Sequence, residues 1–335
     1  MKVLIYFEGQ QLLSKSGIGR AFDHQKKALE SAGVPYSTDE NELDYDILHI
    51  NTYGLNSQRM VRRAKRADKK VIYHAHSTEE DFRNSFIGSN QVSAIYKKHL
   101  VRLYSSADFI ITPTLYSKKV IEGYGIEQPI EAISNGIDLT RFNRNVEKEK
   151  QFRDYFQLPL DKKVIISVGL YFERKGLVDF VEVARRFPEY TFIWFGHTPL
   201  YTIPKKIRAI IQGDHPDNVI FPGYIKGDII EGAYTNADLF FFPSYEETEG
   251  IVVLEALASR QHVLVREIPV YDGWLVPGEN AYMGRTNEDF CNQIEQIIEK
   301  KAIDLRENGW QTAQGKSIQA IGQQLKSVYE KVLGN

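Results

Sequence analysis

The chain has 335 residues, 42% hydrophobic and 26% charged, with 42 basic against 44 acidic side chains and a net charge of -2. That length exceeds what one core usually holds and implies two domains, while the composition excludes disordered and fibrous classes. A single cysteine, Cys291, excludes internal disulfides and cysteine-cluster metal sites and suits a reducing compartment. The start, Met1-Lys-Val-Leu-Ile-Tyr-Phe, reaches Glu8 too soon for a signal peptide. No apolar run approaches the roughly 20 residues of a membrane span, so a cytoplasmic or peripheral protein is expected.

The first half alternates apolar strands with amphipathic helices. Lys2–Phe7 reads as a strand and Ala21–Ala32 as a helix, joined through Ser16-Gly17-Ile18-Gly19-Arg20. Glycines at a strand-to-helix turn let the backbone approach a phosphate or sugar, with the helix N–H groups behind them. A dinucleotide fingerprint needs a third glycine where Phe22 stands, so an oxidoreductase is disfavoured. Tyr45–Ile50, Val71–His74 and Phe109–Thr112 are further strands, and Ser57–Ala67, Val92–Ser105 and Ser117–Tyr124 fit helices. Asp44-Tyr45-Asp46 is an acidic triplet at a strand entrance, a solvated position rather than a metal site. In His74-Ala75-His76 the first histidine is expected in the core, satisfied there, and the second at the strand exit, free to contact a substrate hydroxyl. Two histidines without a third ligand do not argue for a metal. Asn135-Gly136-Ile137-Asp138 marks the exit from the first domain, and the charge-rich Leu139–Lys162 stretch reads as a linker.

The second half repeats the pattern. Lys163–Val168, Thr191–Phe195, Val219–Phe221, Leu239–Phe242 and His262–Arg266 are strands. Val178–Arg186, Gly227–Asn236 and Ile251–Ser259 are helices, and Ile318–Leu333 is a closing amphipathic helix. Such alternation implies α/β architecture, with two doubly wound parallel sheets and ligands at the carboxyl ends of the strands, in a cleft between the domains. The expected division is residues 1–145, a linker at 146–162, a second domain at 163–310 and a C-terminal helix at 311–335 packing back on the first. After the first strand of the second domain come Gly169, Arg174 and Lys175, cations beside a glycine turn that can neutralise a diphosphate. After Leu239–Phe242 comes Glu247-Thr-Glu249-Gly250-Ile251-Val-Val-Leu-Glu255, two carboxylates flanking a helix start. The helix N-terminus suits phosphate and the carboxylates suit hydroxyls, and a nucleotide sugar offers both.

Taken together, Gly17-x-Gly19, His76, Asn135-Gly-Ile-Asp138 with Phe142, Lys175-Gly176, Pro243-Ser244 and the spaced glutamates resemble the retaining glycosyltransferases of family four. The resemblance implies the GT-B fold, two Rossmann-like domains facing across a cleft. Residues 76–90 and 246–262 look more narrowly like glycolipid glycosyltransferases of Gram-positive bacteria. Those enzymes add the second sugar to monoglucosyl-diacylglycerol, the lipid anchor of lipoteichoic acid. By position the resemblance implies that Glu247 holds donor-sugar hydroxyls and Glu255 the ribose. Gly17, Ile18, Gly19, Asn135 and Gly169 line the donor, and the amides of Glu249, Gly250 and Ile251 face its sugar and phosphate. Arg174 and Lys175 bind the diphosphate, and His76 contacts the transferred sugar. Where the family has arginine directly after the glycine, this chain has Leu170, and Arg174 is expected to compensate.

The implied reaction moves galactose or glucose from UDP-galactose or UDP-glucose to a membrane glycolipid with retention. Front-face attack fits, because no pair of carboxylates is placed for double displacement. No cofactor and no metal are called for. The stretch 59–102 carries eleven basic residues against four acidic ones. There Ile95, Tyr96, Leu100, Leu103 and Tyr104 interleave with Lys97, Lys98 and Arg102, as in a helix lying on an anionic membrane. Peripheral attachment to the inner face of the cell membrane is expected, and nucleic acid is not, since no reading motif accompanies the charge. The alternatives are transfer to a polysaccharide intermediate or a protein, and a non-catalytic sugar-nucleotide sensor. An epimerase would need acid–base groups that the sequence does not offer.

Overall fold

The computed structural model describes residues 1–9 and 17–334. The chain forms two compact units. The first comprises Met1–Phe82, Gln91–Ile137 and Lys316–Asn335, the second Arg83–Asn90 and Asp138–Gly315.

In the first unit the elements run β1 (Val3–Tyr6), α1 (Gly17–Ser31), β2 (Tyr36–Ser37), β3 (Ile47–Ile50), α2 (Leu55–Arg66) and β4 (Lys70–His74). They continue with α3 (Glu79–Phe82), α4 (Ser89–Tyr104), β5 (Phe109–Thr112), α5 (Leu115–Glu122) and β6 (Ile130–Ala132). Its six strands lie in the order β2-β1-β3-β4-β5-β6, every neighbouring pair parallel. Helices must then cover both faces, which is why β1, β3 and β5 are buried along their full length. One face packs Val3, Ile5, Ile47 and Ile72 against Phe22, Ala28 and Leu29 of α1. The other packs Leu4, Leu48, Val71 and Tyr73 against Met60 and Val61 of α2 and Leu100, Leu103 and Tyr104 of α4. Turn chemistry fixes the joints: Thr114 and Ser117 cap α5 reciprocally, at 3.1 and 3.2 Å.

The second unit opens with α6 (Val146–Tyr155) and continues β7 (Val164–Val168), α7 (Leu177–Arg185), β8 (Thr191–Phe195), α8 (Lys205–Ile211) and β9 (Val219–Gly223). It ends α9 (Asp228–Asn236), β10 (Leu239–Phe242), α10 (Ile251–Ala258), β11 (Val263–Arg266), β12 (Tyr282–Gly284), α11 (Asn287–Ile298) and α12 (Arg306–Gln314). The strand order β12-β11-β10-β7-β8-β9 is again parallel throughout. Phe180, Phe192, Trp194, Phe241 and Phe290 fill its core.

The first unit ends at Ile137 and resumes at Lys316, where 145 and 311 were expected, and two segments differ further from the sequence expectation. Residues 146–155 are a helix of the second unit and not a linker. Asn145 caps α6 by accepting from Glu147 N and Lys148 N, Phe152 is fully buried, and Lys148 pairs with Glu231 of α9. The polar surface of α6 concealed a helix with a narrow buried stripe. Residues 83–90, from the middle of the N-terminal half, belong to the second unit: Arg174 N–H donates to Asn84 O at 3.2 Å and Ile87 N–H to Thr202 O at 2.9 Å. The last helix, α13 (Ile318–Leu333), sits in the first unit. There Ile321, Leu325, Val328 and Tyr329 share a core with Ala28 and Leu29 of α1.

Candidate functional site

In the second unit the candidate residues gather where β7 and β10 end and α10 begins. Lys175-Gly176 closes the 3-10 turn Glu173–Lys175, and Gly176 adopts φ 77°. A Cβ there would stand 2.2 Å from Pro243 O, so only glycine lets this turn press against the Pro243-Ser244 loop. That approach brings Lys175 Nζ to 2.5 Å from Glu247 Oε1, and Ser244 Oγ donates to the same oxygen at 2.7 Å. Lys175 also lies 5.5 Å from the centre of the Phe242 ring. Glu247 is only 6% exposed. A cation and a hydroxyl replace the water that so buried a carboxylate has lost.

Gly250, at φ 85° and ψ 60°, turns the chain into α10. All eight residues of that helix are buried, an arrangement that fixes the direction of its first N–H groups. Glu255 lies just over one turn in, 1% exposed, and accepts from Tyr234 Oη at 2.6 Å. Gly169 follows β7 and extends its contacts with β8, its N–H donating to Phe195 O and its O accepting from Trp194 Nε1, both at 2.9 Å.

Arg174, expected to compensate for Leu170, is 8% exposed. Its Nε donates to Ser85 Oγ at 2.9 Å and its Nη1 to Glu246 O at 2.8 Å, and it stacks against Phe172. The guanidinium thus ties residues 83–90 to the loop that carries Glu247. Two neighbours escaped the sequence reading. Arg266, at the end of β11, donates to Pro243 O at 3.0 Å, pairs with Asp179 at 3.4 Å and lies over the Tyr245 ring. Tyr271 places its hydroxyl beside Gly250, where an added Cβ would be 3.6 Å away. Burial and the Glu247 charge hold that phenol protonated. Among the described residues it has no hydrogen-bond partner. A basic residue at a strand's carboxyl end was a usable signal for Arg266, whereas nothing local marks Tyr271.

In the first unit, Gly17, Ile18 and Gly19 form the first turn of α1, and Ser16 of the same motif lies outside the described residues. His24, further along α1, is 2.7 Å from Gly136 O through Nδ1, which fastens the Asn135-Gly136 loop to this helix. His76 follows β4, stacked on His74 at 4.0 Å, with Nε2 3.0 Å from Asn51 Oδ1. Burial pulls its pKa down to about 3, so the ring is neutral. His74 is in the core as expected, yet only half satisfied: Nδ1 meets His49 Nε2 at 3.3 Å and Nε2 has no partner among the described residues. Asp46 accepts the Lys2 N–H at 2.8 Å, a structural role at the entrance to β3. The expected membrane stripe on α4 is narrower than the sequence suggested. Leu100, Leu103 and Tyr104 face the sheet core, leaving Val92 and Ile95 exposed at 44% and 69%. Among the described residues no helix is long and apolar enough to cross a membrane.

Comparison with known proteins agrees with this geometry. Residues 148–315 match the family Glycosyl transferases group 1, and residues 37–141 match Glycosyltransferase Family 4. The chain is 46% identical over 334 residues to the processive diacylglycerol alpha-glucosyltransferase of Acholeplasma laidlawii, covering 99% of both chains. It is 24% identical over 301 residues to the alpha-galactosylglucosyldiacylglycerol synthase of Streptococcus pneumoniae, covering 88% of this chain and 79% of the relative. Sucrose-phosphate synthase from Thermosynechococcus elongatus superimposes with a TM-score of 0.82 at 17% identity, covering 100% of this chain and 99% of that one. Anabaena HepE, solved with UDP-glucose, gives 0.78 at 17%, covering 99% and 100%. Both share the paired parallel sheets described above. The chain belongs to the group 1, family four glycosyltransferases and has their GT-B fold.

Proposed function

We propose that this protein is a retaining glucosyltransferase that moves glucose from UDP-glucose to a diacylglycerol glycolipid, extending monoglucosyl-diacylglycerol to a diglucosyl product. The observation that carries the reading is the Lys175–Glu247–Ser244 cluster at the start of a wholly buried helix, with Glu255 held by Tyr234 one turn on. That arrangement offers cations and N–H groups to a diphosphate and carboxylates to sugar and ribose hydroxyls. The full-length likeness to a diacylglycerol alpha-glucosyltransferase favours glucose over galactose and a lipid over a polysaccharide acceptor.

In the proposed reaction the acceptor hydroxyl attacks the anomeric carbon on the face from which the phosphate leaves, and the departing phosphate oxygen takes its proton. Glu247 is engaged by Lys175 and Ser244, so it positions sugar hydroxyls and does not act as nucleophile. Lys175 and the α10 N-terminus stabilise the charge that grows on the diphosphate. Arg174 secures the loop around them. These groups supply the required charge without a metal, and turnover is expected to persist in chelator.

Attachment to the membrane would rest on Lys98 and Arg102 of α4 with Val92 and Ile95, and on the basic residues of α2, each worth about 1 kcal/mol near an anionic surface. Vesicle flotation checks this: binding should need anionic lipid and weaken with salt. The decisive experiment offers vesicles of diacylglycerol or monoglucosyl-diacylglycerol with UDP-glucose or UDP-galactose, and identifies product mass and linkage. A glucosylated lipid with an α linkage is expected. Galactose transfer, an inverted linkage or transfer only to a polysaccharide would overturn the corresponding part.

A further inference from the structure

The surroundings of His76 contain a directional chain of side chains. Asn51 Nδ2 donates to Gln25 Oε1 at 2.8 Å. Gln25 Nε2, which can only donate, is 3.0 Å from His49 Nδ1. His49 Nδ1 is therefore an acceptor, and its proton sits on Nε2, facing His74 Nδ1 at 3.3 Å. The other end of Asn51 is an oxygen, which can only accept. His76 Nε2, 3.0 Å from it, must carry the hydrogen. The lone pair of His76 is left on Nδ1, for which no hydrogen bond is found among the described residues. Four elements of the first unit hold this chain: α1 supplies Gln25, β3 His49 and the residue following it Asn51, β4 His74, and α13 Tyr329, whose hydroxyl is 2.8 Å from His49 Nδ1.

We infer that Asn51 and Gln25 are positioning residues that lock His76 in its Nε2–H tautomer, so that Nδ1 is presented as a hydrogen-bond acceptor to a hydroxyl of the transferred sugar. This rests on the glycosyl transfer proposed above and goes beyond it by naming what sets the proton on the ring. The chemistry is specific. A glycosyl transition state has oxocarbenium character, and a neutral imidazole nitrogen can accept from a sugar hydroxyl without placing positive charge beside that centre. The opposite tautomer would offer an N–H there and lose the interaction. Removing either amide frees the ring to choose.

Nitrogen NMR of the histidine side chains at neutral pH, with neither donor nor acceptor present, reads the tautomer. Wild type should show His76 protonated at Nε2. Asn51→Leu should abolish that preference and lower kcat at least tenfold, with KM for UDP-glucose within twofold. Asn51→Asp keeps an acceptor and should restore both the tautomer and most of kcat. Should Asn51→Leu fail to fold, Gln25→Met, which leaves Asn51 free to turn over, should mix the tautomers and lower kcat less steeply. A wild-type ring protonated at Nδ1, in an enzyme that turns over, overturns the relay and leaves the proposed function standing. A lost tautomer with unchanged kcat overturns its positioning role. A wild-type protein inert towards every UDP-sugar overturns the proposed function, and with it the role given to Nδ1.

Discussion

Lowering the pH should loosen the first unit before the second. His49 and His76 have pKa values near 3, and that of His74 is also well below the usual histidine value, all chiefly because burial disfavours the charged ring. Their partners Gln25, Asn51 and Tyr329 are uncharged at neutral pH, and no carboxylate contributes to the shifts. The sign follows from linkage. The unfolded chain binds protons near pH 6.5 that the folded chain refuses until about 3, so stability is complete above 6.5 and falls as the pH drops through that window. Each ring costs about 1.4 kcal/mol per pH unit. Three together cost about 4 kcal/mol at pH 5.5, a large share of the 5–15 kcal/mol typical of a folded domain. Hydrogen exchange of peptides from β3 and β4 at pH 7.5, 6.5 and 5.5, corrected for intrinsic rates, gives the local opening free energy. His74→Phe should remove about one third of the decline. Opening free energies that stay level from pH 7.5 to 5.5 would refute the reasoning.

Lys175→Ala leaves the buried Glu247 carboxylate with the Ser244 hydroxyl alone of the two partners that hold it and should destabilise the second unit by about 3–5 kcal/mol. Adding Glu247→Gln should recover much of the stability in a melting experiment but none of the turnover. Tyr234→Phe deletes the hydroxyl donated to Glu255; loss of a charge-assisted bond predicts about 1.5–3 kcal/mol of destabilisation and a raised KM for the donor, checked by denaturation and steady-state kinetics. Tyr271→Phe removes a buried hydroxyl without a partner, so the free protein should be as stable as wild type or more so by about 1 kcal/mol. A drop in melting temperature would show that the hydroxyl is bonded after all. Arg174→Ala should impair turnover severely, while Ser85→Ala, which removes one charge-assisted bond from the same guanidinium, should cost about 1.5–3 kcal/mol of stability.

The alternation of strands and helices was legible because parallel strands, buried on both faces, must be apolar along their length. Phe240, Phe241 and Phe242 announce β10 without context, and all three are fully buried. The short edge strands β2 and β6 were not legible, since two and three residues of intermediate burial carry no pattern. Helix α6 was hidden for a different reason. Its stabilising contacts are hydrogen bonds and ion pairs with residues some eighty positions away, such as Arg153 with Asn236 and Lys148 with Glu231. The same distinction governs the site. The glutamates, Lys175 and the Gly250 turn stand in a fixed local spacing, so a single sequence displays them. Tyr234, Arg266, Asn51 and Gln25 reach their partners, and Tyr271 its place beside Gly250, only through sheet order, and sheet order is not written in any window of the chain.

The two units handle charge in opposite ways, and this bears on the proposed chemistry. In the second, charge is buried in pairs: Lys175 with Glu247, Arg266 with Asp179. Such pairs hold fixed cations beside the start of α10, where in the proposed reaction the leaving diphosphate gains negative charge. In the first, His49, His74, His76, Asn51 and Gln25 form a buried network with no formal charge, kept so by desolvation. A neutral acceptor suits the sugar, whose developing charge is positive, and a cation there would oppose the reaction. The arrangement carries a definite consequence for pH dependence. Donor binding to the paired ions, as proposed above, should be nearly flat from pH 8 to 6, whereas the integrity of the His76 network should decay below 6.5. A fall in kcat on acidification with KM for UDP-glucose unchanged is therefore expected. The reverse pattern, KM rising while kcat holds, would place the titrating group in the second unit and contradict this division of labour.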